Sequence, residues 1–198
     1  TDRMKNFGYE STKTGFSVGS GFEYYEDIYI ITGVSSFVEK LKTGSTASAS
    51  IKKQKGSYFD TNFNYTLNYD KRNLRYKPTD GFLSSFTQNV PLISDNYGLT
   101  NTYSYKLYNE WLDENILSLG FYGKMSNSIS GDNIKLSNRL FLPASKLRGF
   151  ESGKVGPKDG LDFIGGNYIA SVNISSTLPQ ILPNLQKTDF SIFFDAAN

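Results

Sequence analysis

The chain has no cysteine and no histidine in its 198 residues. Without cysteine there is no disulfide and no thiolate metal site. Without histidine the commonest general base and the commonest metal ligand are both missing, which counts against hydrolytic triads and zinc centres. Neither sign of charge is in excess: 21 Lys+Arg stand against 19 Asp+Glu, a net +2 that gives no reason to invoke nucleic acid. Nowhere does an apolar run approach the ~20 residues of a membrane helix. No apolar leader follows Thr1-Asp2-Arg3. With the strand pattern described next, that start is expected of a stretch from inside a longer exported chain.

Aromatic residues are plentiful at 15%, nearly all Phe and Tyr. The mean hydropathy is nevertheless polar, at −0.41. That combination suits strands with one apolar and one wet face. Period-two alternation, the strand signature, predicts about eight of them. The first runs from Thr14 to Tyr24, with Phe16, Val18, Phe22 and Tyr24 opposite Gly15, Ser17, Gly19, Gly21 and Glu23. The second spans Ile28 to Val38. The cleanest spans Tyr58 to Tyr69, where Phe59, Phe63, Tyr65, Leu67 and Tyr69 oppose Asp60, Asn62, Asn64, Thr66 and Asn68. Further strands are expected over Phe82 to Leu92, ending near Pro91, then Tyr97 to Trp111, Leu117 to Met125, Tyr168 to Leu178, and Asp189 to Asp195. Residues 47–51 could form a short strand, a loop or one helical turn.

Most of these strands are near the ~9–11 residues that cross a bilayer at a tilt. Their connections alternate between short turns, such as 112–115 around Asp113, and longer loops. Transmembrane barrels share that asymmetry, with short turns on the periplasmic side and long loops outside. Soluble sandwiches and lipocalin-like barrels also alternate, and by alternation alone the two stand level. Strand length, and aromatics at the ends of apolar faces (Tyr58, Tyr69, Tyr97, Trp111, Tyr168), favour the membrane.

No constellation of residues carries catalysis. Glu110 and Asp113 differ in phase. Asp159 and Asp162 flank Gly160 without a third ligand in register for calcium. Gly153 to Gly156 is followed by no Lys-Ser/Thr, so it is not a phosphate loop. Lys52, Lys53 and Lys55 read as a solvated loop rather than a lipid-binding site.

The longest interval without strand alternation holds Leu147-Arg148-Gly149-Phe150, then Gly153, Gly156-Pro157 and Gly165-Gly166-Asn167. Its glycines and prolines predict a loop with defined turns. Arg148 has no obvious local partner.

Three stretches in order resemble the bacterial surface-antigen family of outer-membrane assembly factors, which includes the barrel subunit of the Bam complex. The first is Asp70-Lys71-Arg72 through Pro78-Thr79-Asp80-Gly81, similar to the family's descending strand and periplasmic turn. The second is Leu147-Arg148-Gly149-Phe150 with Gly156-Pro157, similar to the tip of the long extracellular loop that enters the barrel. The third is Gly165-Gly166-Asn167 followed by Phe193-Phe194-Asp195, similar to strands just after that loop. The resemblance runs from about Tyr58 to Asn198. Asn73 stands where the family often has aspartate, and Ala197 where a glycine is usual.

The resemblance implies an all-β, antiparallel transmembrane β-barrel. The chain would be a partial barrel of about eight strands from a sixteen-stranded type. Residues 1–198 would be part of the C-terminal transmembrane barrel domain, and 128–166 the extracellular loop folding into the lumen. Arg148 would face Phe193 and Asp195 on the lumenal wall, where strand phase independently places that pair. The implied function is insertion and assembly of β-barrel clients in the outer membrane of a Gram-negative bacterium, with no enzymatic step, cofactor or metal. Implied partners are outer-membrane lipid, unfolded outer-membrane protein clients and, for the full-length protein, assembly-complex lipoproteins; nucleic acid is not among them. A two-partner-secretion transporter, a passive porin or a soluble lipocalin-like binder are the alternatives.

Overall fold

The computed structural model describes residues 2–6, 8–112, 114–131, 133–178 and 190–198. The expectations at Asp113 and Asp189 lie outside the described residues. Seven strands come first: β1 (Asp2–Asn6), β2 (Tyr9–Tyr25), β3 (Ile28–Thr43), β4 (Gly56–Asp70), β5 (Gly81–Ser94), β6 (Gly98–Leu112) and β7 (Asn115–Ser128). A single helical turn, α1 (Ala49–Lys52), interrupts the β3–β4 connection, which settles the region that alternation left open. After β7 comes a long connection holding a two-residue hairpin, β8 (Lys158–Asp159) and β9 (Asp162–Phe163). The main sheet then resumes with β10 (Tyr168–Leu178) and β11 (Phe190–Ala197).

The main sheet has nine strands in the order β1-β2-β3-β4-β5-β6-β7-β10-β11, each antiparallel to its neighbour. It is open, with β1 and β11 at its edges. The ninth strand is β1, and β2 begins at Tyr9 rather than Thr14, because polar Glu10 to Lys13 continue the pairing without an apolar signal. Nor does β5 stop at Leu92. A bulge opposite Thr61 and Asn62 lets it pass Pro91 and run on to Ser94. Pro91 lacks an N–H, and a bulge beside it is where a sheet tolerates that loss.

Alternation sorts most side chains between two faces. One face carries Phe16, Val18, Val34, Phe63, Leu67, Phe121, Val172, Ile192 and Phe194, and it is left uncovered: Phe16 is 68% and Ile192 66% exposed. Across it, neighbouring rings touch, as in the edge-on Tyr69–Phe82 pair at 5.2 Å. The opposite face carries Ser35, Asp60, Asn64, Thr66, Thr87, Thr102, Ser104, Ser118 and Asn173, a polar register interrupted on β3 by Tyr29, Ile31 and Phe37. This arrangement inverts a soluble sandwich, where the apolar face would be the covered one.

β4 has 15 residues, about 50 Å at roughly 3.3 Å each. Such a strand overshoots a ~25 Å apolar band even at a 45° tilt. Its upper part therefore stands clear and supports the long connections. Residues 44–55, 95–97, 129–131 and 133–167 all emerge at that end, while the turns at 26–27 and 71–80 emerge at the other.

Candidate functional site

Residues 129–131 and 133–167 do not trail away from the sheet but pack onto its polar face at the long-loop end. Two small apolar cores hold them there. In the first, Leu136 of the loop meets Tyr9, Leu41, Ala47 and Ile51, with Tyr58 and Ile164 against it. In the second, Leu140 and Leu142 meet Ile169, with Tyr122, Leu147, Val155 and Ala197 alongside. Tyr58 thus belongs to the covered face, where its hydroxyl donates to the Gln54 carbonyl at 2.9 Å. That corrects its assignment to the ends of the apolar face: it has the parity of Asp60, not of Phe59.

Arg148 lies beyond the second core. Its guanidinium donates to Asp195 twice, Nε to Oδ2 at 2.7 Å and NH2 to Oδ1 at 2.6 Å. The Arg148 backbone N–H adds a third bond to Oδ2 at 2.9 Å, and Asn173 Nδ2 a fourth to Oδ1 at 2.8 Å. Asn173 and Asp195 are register partners on β10 and β11, which is why they converge. The same Asn173 amide donates to the Lys146 carbonyl at 3.0 Å, fixing the residue two before the arginine. The Phe193 ring takes the flat face of the guanidinium, 3.8 Å from its centroid. The Asp195 side chain is 3% exposed and that of Arg148 34%. A two-pronged, charge-assisted pair on a stacked ring is geometrically specific in a way a lysine would not reproduce. The carboxylate holds the Arg148 guanidinium still further above its ordinary value.

The rest of the loop motif serves the backbone. Gly149 (φ +86), Gly153 (φ +76), Gly156 (φ +124) and Gly165 (φ +69) all occupy the left-handed region. Gly165 has a second constraint, since a Cβ there would lie 2.9 Å from the Leu140 carbonyl oxygen. Gly166 differs in having ordinary φ and bridges Leu140 with two 2.9 Å backbone bonds. Phe150 is exposed and Leu147 packs on the second core.

The 71–80 turn is a separate site at the opposite end. Asp70 takes Arg72 Nε at 2.7 Å and NH2 at 2.8 Å, and that pairing raises the arginine's proton affinity. Asn73 does the organising expected of an aspartate there. Its Oδ1 accepts the N–H groups of Leu74, Thr79 and Asp80, and its Nδ2 donates to Thr79 Oγ1 at 2.7 Å. Lys77 just before Pro78 has φ +47. Gly81 closes the turn at φ +89, where a Cβ would lie 2.0 Å from the Lys71 carbonyl oxygen.

One cluster had no sequence signal. Lys135, its side chain 1% exposed, places Nζ 2.5 Å from Asp60 Oδ2 and 2.9 Å from Glu39 Oε2. Both carboxylates are nearly sealed as well, Glu39 at 0%. Hydroxyls complete their shells: Ser11 at 2.5 Å and Ser137 at 2.8 Å on Glu39, Ser94 at 2.5 Å on Asp60. Asp159 and Asp162, weighed as calcium ligands, instead accept N–H groups at the start of α1. Asp162 takes Ser48 at 2.7 Å, and Asp159 takes Ser50 at 3.2 Å. Among the described residues no cluster of three or more His, Cys, Asp or Glu could hold a metal ion.

Comparison with known proteins fits this arrangement. No curated protein matches the chain. Among solved structures, the fold is similar to that of BamA from Haemophilus ducreyi lacking POTRA domains 1–3, with a TM-score of 0.83 and 20% identity. The match covers 96% of this chain and 42% of that one, so this chain spans less than half the length of the protein it resembles. At that identity the likeness establishes the fold: an open part of an antiparallel transmembrane β-barrel. The model of the Omp85 superfamily domain matches residues 1–198 without remainder, and the chain belongs to the Omp85 superfamily.

Proposed function

We propose that this chain is part of the C-terminal barrel domain of an outer-membrane insertase, which folds β-barrel clients into the outer membrane of a Gram-negative bacterium. In this reading the apolar face meets lipid and the polar face lines the lumen. Residues 128–166 are then an extracellular loop folded inward. The observation that carries the reading is the Arg148–Asp195 clamp with Phe193 behind it, which ties that loop to the wall. In lipid an unpaired strand edge has no water to satisfy it, so a barrel with an openable seam can template a client strand by edge pairing. That work needs no covalent step, cofactor or metal. It needs a wall that holds its shape while the seam moves, and the braced loop supplies one. Unfolded outer-membrane protein clients, and assembly-complex lipoproteins bound to the full-length protein, are the partners that follow.

Charge exchange tests the brace. In the full-length protein, Arg148→Asp and Asp195→Arg should each impair client insertion and lower the heat stability of the barrel. Combining them should recover part of the loss. Single substitutions that leave both properties unchanged would remove the clamp from the mechanism. A two-partner-secretion transporter is the second reading, favoured by the same family membership. Capture of a secreted exoprotein rather than a barrel precursor would select it.

A further inference from the structure

The lipid-facing register of β3 does not stay apolar to its end. Val34, Ser36 and Val38 point outward opposite Phe63, Thr61 and Phe59 of β4. Two residues further, the same face presents Lys40, then Lys42, both exposed, while Glu39 and Leu41 between them are buried. Lys40 pairs in register with Ser57 of β4, and exposed Lys55 leads into that strand two residues earlier. Three ammonium groups thus rim the sheet just above its apolar band, at the end where the long loops emerge. Glu10, opposite Lys42 on β2, offsets part of the charge. Among the described residues no ion pair holds Lys40, Lys42 or Lys55. Two other cations at this end are spent: Lys135 is enclosed by carboxylates, and Arg148 is held by Asp195.

From this placement we infer that Lys40, Lys42 and Lys55 form a binding site for the phosphate groups of the phosphorylated glycolipid of the outer leaflet. The inference rests on the barrel reading above, with the long-loop end outward. Lysine suits the position physically. Its aliphatic stem lies along the apolar band while its charged head reaches the headgroup layer. An anionic headgroup there meets several cations at once, in a region where interfacial charge attraction is strong and salt-dependent. A run that reads in sequence as a solvated loop thus gains two strand lysines, from a segment more than ten residues away, on the same lipid-facing rim.

The test uses the full-length protein folded into phosphatidylcholine vesicles containing diphosphorylated lipid A, its dephosphorylated form, or phosphatidylglycerol. The readout is the midpoint of heat-modifiable gel mobility. The native protein should gain heat stability from diphosphorylated lipid A over the dephosphorylated form, and added salt should shrink the gain. The triple variant Lys40→Gln, Lys42→Gln, Lys55→Gln should match the native midpoint in phosphatidylcholine alone and lose the lipid A gain. An undiminished gain in the variant overturns the site, and an equal gain from phosphatidylglycerol overturns its assignment to the glycolipid. Folding in phosphatidylcholine alone tests the barrel, so the two readings fail separately.

Discussion

Replacing Lys135 by methionine should loosen the long loop without unfolding the sheet. The lysine lies 2.5 Å from Asp60 and 2.9 Å from Glu39, and all three side chains are at most 6% exposed. Methionine keeps the volume of the stem and removes the charge. Two buried carboxylates would then face each other with hydroxyl donors and, 3.9 Å from Glu39, only the more exposed ammonium of Lys13. Breaking a buried ion pair from one side costs about 3–5 kcal/mol, because the remaining charge is left uncompensated. Ser11, Ser137 and Ser94 remain as donors, which places the expected loss toward the lower end, about 3 kcal/mol. The strand ladders around Glu39 and Asp60 stay paired, so the loss should fall on docking of residues 129–140. Two measurements check this on the full-length barrel in vesicles: protease cleavage within the loop, and the midpoint of heat-modifiable mobility. Cleavage should rise sharply while the midpoint shifts modestly. Adding Glu39→Gln and Asp60→Asn to Lys135→Met should restore most of the protection, since no charge is then stranded. Wild-type protection in the single variant, or no recovery in the triple one, would refute the argument.

Further outcomes follow from the two faces and the turns. Phe63→Arg should destabilise the barrel by roughly 2–4 kcal/mol if the residue sits near the bilayer midplane, whereas Asn64→Arg on the polar face should be mild; a refolding titration in denaturant distinguishes them, and equal tolerance would contradict the lipid assignment. Gly81→Ala combines a left-handed φ with a Cβ 2.0 Å from backbone, so the refolded yield should fall well below that of Ser84→Ala on the same strand. Hydrogen bonds from Ser50 hold the Asp159 carboxyl below its ordinary value of 3.8. A depressed folded-state value stabilises above the unfolded one and is lost as pH falls through the folded one. Amide exchange at Ser50, whose N–H donates to Asp159, corrected for intrinsic rate, should therefore stay slow at neutral pH and accelerate only below about 3.8.

Period-two alternation by itself determined most of the sheet and its two faces, though not β1 or the start of β2. Each strand buries one side against a single environment, so parity along Phe59 to Asp70 is enough to assign every side chain. Parity also put Phe193 and Asp195 on the face opposite Phe194. Glycine and proline punctuation marked the long loop and the 71–80 turn, because left-handed backbone restricts residue choice locally. Packing decided the rest. Glu39, Asp60 and Lys135 come from β3, β4 and the loop, each an ordinary surface residue by its neighbours, and only docking removes them from water. Tyr58 looked like an interfacial ring until the loop covered it. Lys40 and Lys42 alternate with buried Glu39 and Leu41, yet their meeting with Lys55 on one rim required the β3–β4 register. Local conformation and parity are written in adjacent residues, whereas which distant charges meet depends on how the loops lie against the sheet.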